Sequence, residues 1–374
     1  MNATDLRIET VASRATRRRF VEVARRIYPA ESPWVRPLDA VVLDYLHPRR
    51  NPFYRDGTAL ACVASRGGPD VGRILAHVWS RHRRLHGEAV AYFGLFECAD
   101  DAEAARALFA AAADFAREQG CDRLRGPFNM TAAQEVGIVT RGFENPPSVD
   151  MVYTPPWYPR LMEAGGFQPC LGMTTWRNPD ATTLDPDSLI RDPHRRLIAS
   201  GLRVRPIHSR RRDADMELVR ELINAAFLGN WSFVPITREE WVLQVGTLLP
   251  LLDPALVLLA EVQGVPVGVT FAVPDFNPIL RRLDGRLLHP AALRLLRRPP
   301  GDAAVVILFA VRKQYQGLGV SRVLNAELVR ALARRGYRGL SITWIADRNT
   351  SSQAQAKGLG MQPLHELAMY EHAL

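Results

Sequence analysis

The sequence contains the same order of segments twice, and this internal repeat constrains the fold more than any other feature. In each half an apolar segment precedes a helical pattern that ends at a glycine: 89–98 before Gly120, and 303–311 before Gly336. A continuously apolar segment is typical of a strand covered on both faces. A glycine at the helix end predicts a left-handed C-terminal cap. The repeat therefore predicts two α/β units.

Further signals extend the repeat in both directions. Hairpin-like segments with a glycine-containing turn precede the two units, at 59–78 and 255–273. A second helix is predicted in each unit, and it ends at 165–166 in the first half and at 358–360 in the second. Both halves are thus expected to have the same architecture.

The chain has 374 residues, which exceeds the usual size of a single domain and favours two. The stretch 177–205 is rich in Asp, Pro and Arg, a composition typical of a linker. We place the boundary near residue 180 and predict domains 1–180 and 181–374.

The two copies differ at the entrance to the first helix. The first copy has acidic residues there, with Asp100 as the predicted N-cap and Glu103 as its capping-box partner. The second copy has Gln314-x-x-Gly317-x-Gly319. A helix start presents unpaired N–H groups and the positive end of the dipole, and glycine permits close approach and positive φ. A plain tight turn is the alternative, but only the second copy is suited to bind an anion.

This loop, together with the segment 349–361, resembles the GNAT superfamily of acyl-CoA N-acyltransferases. In that family a Q/R-x-x-G-x-G/A loop binds the coenzyme A pyrophosphate, and a later helix has the pattern N-x-x-A-x-x-x-Y-x-x-x-G-F. Asn349 and Gly360 stand at matching positions, and Ser352 replaces the Ala. The resemblance covers roughly 200–374, and the first half is similar to the same fold with a degenerate loop. Four further segments also resemble a bacterial tandem-GNAT group: 125–130, 142–151, 230–237 and 274–278.

The resemblance implies an α/β protein with two tandem GNAT-like domains, each a mixed, mostly antiparallel sheet flanked by helices. It also implies acetyl-CoA or another acyl-CoA as co-substrate, and no metal. Backbone amides from 316 to 320 would hold the pyrophosphate, the strand edge at 309–311 would pair with pantetheine, and Asn349 would fix the coenzyme arm. The predicted cofactor-binding residues are Phe309, Val311, Gln314, Gln316, Gly317, Leu318, Gly319, Val320 and Asn349.

One departure from the family concerns catalysis. The usual general acid is a Tyr seven residues after the Asn, and Ala356 stands there. Tyr315 and Tyr370 are the predicted substitutes, and Asp275 would orient or deprotonate the amine through water. A turn-forming pair of Asp275 with Asn277 is the alternative. Catalysis in this fold depends largely on bringing the amine to the thioester, so the loss of the Tyr need not abolish it.

Five residues are predicted to contact the acceptor: Asn129, Glu135, Trp231, Asn277 and Trp344. The first two lie in an insertion, since Gly120 and Gly166 are 46 residues apart, whereas Gly336 and Gly360 are 24 apart. Long loops in compact domains are often functional, and aromatic walls line many pockets. The alternatives are a structural loop at the domain junction and simple packing roles for the tryptophans.

The segment 279–300 is both apolar and basic. It is predicted either to be a helix that faces a membrane surface or a long acyl chain, or to be an ordinary helix with Leu293 and Leu296 packed on the core. Peripheral membrane contact therefore stays open, and so does the oligomeric state.

The net charge of +9 suggests a nucleic-acid partner, but the arginines are scattered and only Lys313 and Lys357 are lysines among 48 basic residues. We expect no nucleic acid. The four cysteines stand far apart and predict neither a zinc site nor a disulfide framework. The sequence has no apparent signal peptide and no long apolar span. We expect a soluble, cytoplasmic protein.

The predicted function is acyl-CoA-dependent N-acyl transfer, most simply N-acetyl transfer, to an amine of a small-molecule or lipid-like acceptor. One alternative is a peptidyl-type transferase that uses aminoacyl-tRNA, as in related tandem GNAT enzymes. The other is a catalytically silent acyl-CoA-binding protein, which Ala356 suggests.

Overall fold

The computed structural model describes residues 5–130, 135–199, 201–246, 249–287 and 301–374. These residues divide into two compact units. Unit 1 is drawn from Met1–Met173, Leu280–Leu288 and His365–Leu374, and unit 2 from Thr174–Ile279 and His289–Leu364. The division into domains 1–180 and 181–374 stays a prediction, since the compact units are built from interrupted stretches of chain.

Strands and helices alternate along both halves of the chain. The strands are β1 (Leu6–Thr10), β2 (Gly57–Arg66), β3 (Asp70–Trp79), β4 (Val90–Cys98), β5 (Arg123–Gly126), β6 (Ile138–Arg141), β7 (Gln168–Asn178), β8 (Leu202–Pro206), β9 (Val257–Val262), β10 (Val265–Pro274), β11 (Ala303–Val311), β12 (Gly339–Ala346) and β13 (Gln362–Ala373). The described helices are α1 (Arg14–Ile27), α2 (Asp39–Tyr45), α3 (Ser80–His86), α4 (Ala102–Glu118), α5 (Tyr158–Ala164), α6 (Asp192–Ala199), α7 (Arg212–Phe227), α8 (Arg238–Gly246), α9 (Asn277–Leu283), α10 (Val320–Arg335) and α11 (Thr350–Gly358).

Unit 1 contains a mixed sheet with the order β1–β2–β3–β4–β5–β13, and β6 pairs with β13. The pair β4/β5 is parallel, and the pairs β2/β3 and β3/β4 are antiparallel. The Ala-rich helix α4 buries small side chains, so it packs closely against the phenylalanines of the core. Among these, Phe96 stacks on Phe109 with ring centroids 4.9 Å apart. The degenerate copy therefore has a complete core of its own.

The described segment 280–287 joins unit 1 through specific contacts. Arg281 donates hydrogen bonds to the carbonyl oxygens of Ser32 and Pro33, and Asp39 N donates to Gly285 O. Leu283 is fully buried. These residues therefore pack as ordinary protein structure. The predicted membrane-facing helix, including Leu293 and Leu296, otherwise lies outside the described residues.

Unit 2 contains a sheet with the order β7–β12–β11–β10–β9–β8. The pair β11/β12 is parallel, and β8, β9, β10 and β11 pair antiparallel in turn. Helix α10 packs its apolar face on this sheet through Val323, Leu324 and Leu328, among others. The predicted mixed, mostly antiparallel α/β architecture is confirmed.

Two local predictions about helix ends have different outcomes. Gly336 caps α10 with φ of 80°, in the left-handed region, as predicted. The predicted N-cap Asp100 is wrong, because Asp101 occupies that position and its carboxylate accepts hydrogen bonds from Glu103 N and Ala104 N. Asp100 instead forms an ion pair with Arg160. In the described part of the chain, no helix has the length and apolar character needed to cross a bilayer.

Candidate active site

A cleft opens in the sheet of unit 2, between β11 and β12. Their parallel pairing runs only from Ala303/Gly339 to Val306/Ile342, although both strands continue beyond these residues. A bulge against β10 leaves Ile307 as the extra residue, because Ala272 pairs with Val306 and Phe271 with Leu308. Three consecutive residues, 307–309, are only half-buried in this otherwise buried strand. Thr343 Oγ1 donates to Ile307 O at 3.4 Å and Gln316 Nε2 donates to Val311 O at 2.9 Å, so the strand edge is open to a ligand between these two groups, around Phe309.

The glycine loop lies at the end of this edge and has the backbone geometry of an anion cradle. Gly317 and Gly319 have φ of 77° and 94°, and Gly319 is the N-cap of α10 without any side-chain cap. A Cβ atom built at Gly317 would have no protein atom within 4 Å. Residues 316–319 form a turn, but within the described residues no backbone hydrogen bond of ordinary geometry is made by the amides of Gly317, Leu318, Gly319 and Val320. These N–H groups lie at the N-terminus of a sixteen-residue helix, where the positive end of the helix dipole favours binding of an anion.

Gln316 corrects the predicted extent of this cradle. Its backbone N–H donates to Lys313 O at 3.2 Å, so it is not free to bind a ligand. Its side-chain Nε2 donates to Val311 O at 2.9 Å. Gln316 therefore holds the loop in shape, and the cradle begins at Gly317. Gln314 and Leu318 are exposed.

The loop is tied to neighbouring segments of unit 2. Lys313 Nζ donates to Leu228 O at 2.9 Å, and Arg312 Nε donates to Pro266 O at 2.9 Å. Tyr315 is half-buried against the core of the unit. These contacts fix the N-terminal part of the loop, which reduces the conformational entropy that a bound anion would otherwise remove.

Three other predicted residues of unit 2 lie on or after the strands of the cleft. Phe309 and Trp344 are half-buried on β11 and β12, whereas Val311 is buried. Asn349 is the N-cap of α11, and its side-chain oxygen accepts from Ser352 N at 3.1 Å. The capping role is sufficient to explain why residue 349 is an asparagine. A contact of Asn349 with the coenzyme arm stays a prediction.

The predicted acceptor residues of unit 2 have structural roles as well. Asp275 Oδ1 accepts from Asn277 N at 3.1 Å, which is the turn that was the alternative interpretation of this pair. Trp231 is half-buried and lies 5.8 Å from the guanidinium of Arg348, a cation–π distance. Their roles in substrate binding stay predictions.

Tyr370 differs from Tyr315 because it belongs to unit 1. It pairs with Gly126 across β13 and β5, and its side chain is buried in the apolar core, which raises its pKa. Tyr315 is thus the predicted acid that lies in the same unit as the glycine loop.

The corresponding cleft in unit 1 is closed by the chain itself. The parallel pairing of β4 with β5 ends at Tyr92/Arg125. Beyond it, Phe128 N donates to Phe93 O at 2.7 Å, and Leu95 N donates to Asn129 Oδ1 at 2.7 Å. The segment after β5 therefore occupies the edge of β4, which corresponds to the open edge of β11 in unit 2.

The helix start of unit 1 is also occupied. The carboxylate of Asp101 caps α4, and Arg66 binds it at 2.7 Å, which together with the cap hydrogen bonds holds the pKa of Asp101 below its usual value. An internal anion thus fills the place that the glycine loop leaves open. The prediction that only the second copy suits an anion agrees with this geometry.

Carboxyl groups with raised pKa values lie beside the closed cleft. Surrounding protein raises the pKa of Glu135 and of Asp150 to about 7, although both side chains reach solvent. Asn129 Nδ2 donates to Glu135 at 3.2 Å. Burial also raises the pKa of Glu97, which accepts from Tyr158 at 2.6 Å. A carboxyl group that titrates near neutral pH suits proton transfer or an amine contact, so Glu135 stays a predicted substrate residue.

His194 is a candidate that sequence reasoning missed. It lies on α6, and its ring contacts Gly319 of the loop. No local pattern marks it, because the contact joins residues that are 125 positions apart in the sequence.

Comparison with known proteins agrees with this geometry. Residues 216–361 match the model of the acetyltransferase (GNAT) family. Protein YghO of Escherichia coli (strain K12) is 28% identical over 373 residues, which cover 97% of this chain and 94% of YghO. The bacterial ceramide synthase of Caulobacter vibrioides (strain NA1000 / CB15N) is 28% identical over 378 residues, which cover 99% of this chain and 98% of the synthase.

Among solved structures, a tandem GNAT protein from the clavulanic acid biosynthesis pathway matches with a TM-score of 0.59 at 15% identity. The match covers 99% of this chain and 98% of that protein. It shows the fold, and the predicted α/β architecture of two domains is confirmed.

Proposed function

We propose that unit 2 binds an acyl-CoA and transfers its acyl group to an amine, because residues 216–361 match the model of the acetyltransferase (GNAT) family. The observation that carries the proposal is the open cradle of amides at Gly317–Val320 beside the separated strands β11 and β12. A Cβ atom at residue 317 would stand where the anion is expected, although the positive φ values of Gly317 and Gly319 by themselves already favour glycine.

The chain offers separate groups for each part of the coenzyme. The amides at 317–320 would hold the diphosphate through charge-assisted hydrogen bonds of about 1.5–3 kcal/mol each. The edge of β11 at 309–311 would pair with the amides of pantetheine. The half-buried side chains of Phe309 and Trp344 would flank the thioester arm.

In the proposed reaction the amine nitrogen attacks the thioester carbonyl carbon. A C–N bond forms, the C–S bond breaks, the amine loses a proton, and the leaving thiolate of CoA takes one up. Water is the proposed source of that proton, because Tyr315 lies beside the diphosphate cradle, at the opposite end of the pantetheine arm from the sulfur. Asp275 N donates to Ala303 O at the paired end of β11 and β12, so a contact of Asp275 with the amine requires an acceptor that extends to that end. Ala356 has no ionisable group and therefore cannot supply a proton, so positioning of the amine against the thioester would carry most of the rate.

We propose a lipid-like amine as the acceptor, because the ceramide synthase of Caulobacter is similar over nearly the whole chain. The acyl group would then be longer than acetyl. The test is to incubate the protein with acyl-CoAs from two to sixteen carbons and two amines, a long-chain 2-amino-1,3-diol and a short-chain one. Free CoA and the amide product are measured. Amide formation that requires both a long-chain amine and an acyl-CoA supports the proposal. Activity only with acetyl-CoA and short amines would reject the lipid-like acceptor but retain N-acyl transfer.

A silent acyl-CoA-binding protein remains the second candidate, because Ala356 replaces the family's Tyr and is buried. Tight binding of acyl-CoA without any amide product from either amine would favour it. A transferase that uses aminoacyl-tRNA would instead bind tRNA and be insensitive to substitution of Gly317.

A further inference from the structure

The ring of His194 lies directly against the glycine loop. Its Nε2 is 2.8 Å from the position that a Cβ atom of residue 319 would take, and its Cδ2 is closer still. Residue 319 must therefore be glycine for two reasons, its φ of 94° and the presence of the imidazole. The side chain of His194 is buried, with 8% of its surface exposed.

The hydrogen bonds of His194 determine where its proton lies. Nδ1 accepts from Arg191 N at 3.0 Å, so Nδ1 carries no proton and the neutral ring is protonated at Nε2. Burial, then the charges of Arg322 and Arg191, lower the pKa of His194 and favour this neutral form. No acceptor for Nε2–H is found within the described residues, and Nε2 lies beside Gly319.

The surroundings of this N–H group favour an anion. Arg322 stands in the first turn of α10, which contains no acidic residue. The amides of Gly317–Val320 make no backbone hydrogen bond of ordinary geometry among the described residues. An anion in the cradle could therefore accept from these amides and from His194 Nε2–H together, through charge-assisted hydrogen bonds.

We propose that His194 is a further binding residue of the acyl-CoA site and donates a hydrogen bond from Nε2 to an oxygen of the diphosphate. The inference rests on the proposed function of unit 2. It adds the side chain of a residue on α6, the helix before β8, to a cradle otherwise made of backbone amides. The alternative is that the ring only fills space beside Gly319.

Calorimetric titration of the full chain with CoA and with ADP tests the proposal. ADP carries the same 5′-diphosphate without pantetheine. His194→Ala is expected to weaken both ligands by about tenfold to a hundredfold, as loss of a hydrogen bond to a charged group does. His194→Gln keeps an N–H donor at a similar reach and is expected to recover most of the affinity. His208→Ala, at an exposed histidine of the same unit, is the matched control and should bind like wild type.

Three results would overturn the proposal. The first is unchanged or tighter CoA binding by His194→Ala, which would mean that the ring only fills space. The second is a loss for CoA but not for ADP, which would place the contact elsewhere on the coenzyme. The third is no binding of CoA by the wild-type chain, which would remove the proposed function as well, and so is distinct from the other two.

A measurement on the unmodified protein covers the case that the variants do not fold. In a chain with ¹⁵N-labelled histidine, the Nε2 and Hε2 resonances of one neutral ring should shift on addition of CoA or ADP. If CoA binds and no neutral histidine responds, the proposal is refuted.

Discussion

Gly317 and Gly336 offer a matched pair of substitutions at the two ends of α10. Their φ angles are 77° and 80°, and a Cβ atom at either would have no protein atom within 4 Å. Alanine at either position therefore meets the same left-handed strain, about 1–2 kcal/mol, and no collision. The free energy of unfolding should fall by similar amounts in Gly317→Ala and Gly336→Ala.

CoA binding should separate the two variants. The methyl group that Gly317→Ala introduces would project into the space of the cradle, whereas residue 336 lies at the opposite end of a sixteen-residue helix, about 24 Å away along its axis. Loss of one or two charge-assisted hydrogen bonds, at about 1.5–3 kcal/mol each, weakens CoA by at least about tenfold. Gly336→Ala should bind CoA within about twofold of wild type.

Urea unfolding measures the stability of each variant, and calorimetric titration measures its dissociation constant for CoA. Equal affinities for CoA in Gly317→Ala and Gly336→Ala, at equal stability, would refute the reasoning, because the cradle would then make no contact with the ligand. A large stability difference between the two would show that the strain argument itself is wrong.

Three further predictions concern unit 1. Asp101→Ala should lower the stability by about 1–2 kcal/mol through loss of the α4 cap, with CoA affinity unchanged in the same titration. Burial lowers the pKa of His77 from 6.5 to about 4. The folded state therefore resists protonation of this ring, and up to about 3 kcal/mol of stability is lost as the pH falls from 6.5 to 4. In His77→Gln, the free energy of unfolding should depend less steeply on pH over this range. The pKa of Glu135 is raised from 4.5 to about 7, so stability is lost as the pH rises from 4.5 through 7. Glu135→Gln should therefore stabilise the protein more at pH 8 than at pH 5. An equal effect on the free energy of unfolding at both pH values would contradict a raised pKa of Glu135.

Features that depend on neighbours in sequence could be predicted. The strand 303–311, the helix that begins at Val320 and the cap at Gly336 follow from apolar runs, helical spacing and glycine. The choice between Asp100 and Asp101 as N-cap could not, because both carboxylates fit the pattern. Arg66 pairs with the N-cap Asp101, and Arg160 pairs with Asp100. Both arginines are distant in sequence, so a local pattern does not include them.

The closed state of the first cleft depends on contacts that local patterns do not contain. Asn129 was predicted to bind substrate, but its side chain also seals Leu95 N on β4. The described segment 280–287 and the last strand belong to unit 1, although they follow most of unit 2 in sequence. His194 approaches Gly319 for the same reason, through packing of α6 that no periodicity encodes.

The amide resonances of the glycine loop test the central claim most directly. The chain has 26 glycines, and in the uniformly ¹⁵N,¹³C-labelled protein the Gly317 and Gly319 amide signals can be assigned by sequential backbone experiments. CoA is predicted to shift both amide protons downfield, with the same saturation as the calorimetric titration, while Gly336 stays unchanged. Saturable CoA binding that leaves Gly317 and Gly319 unmoved would contradict the account.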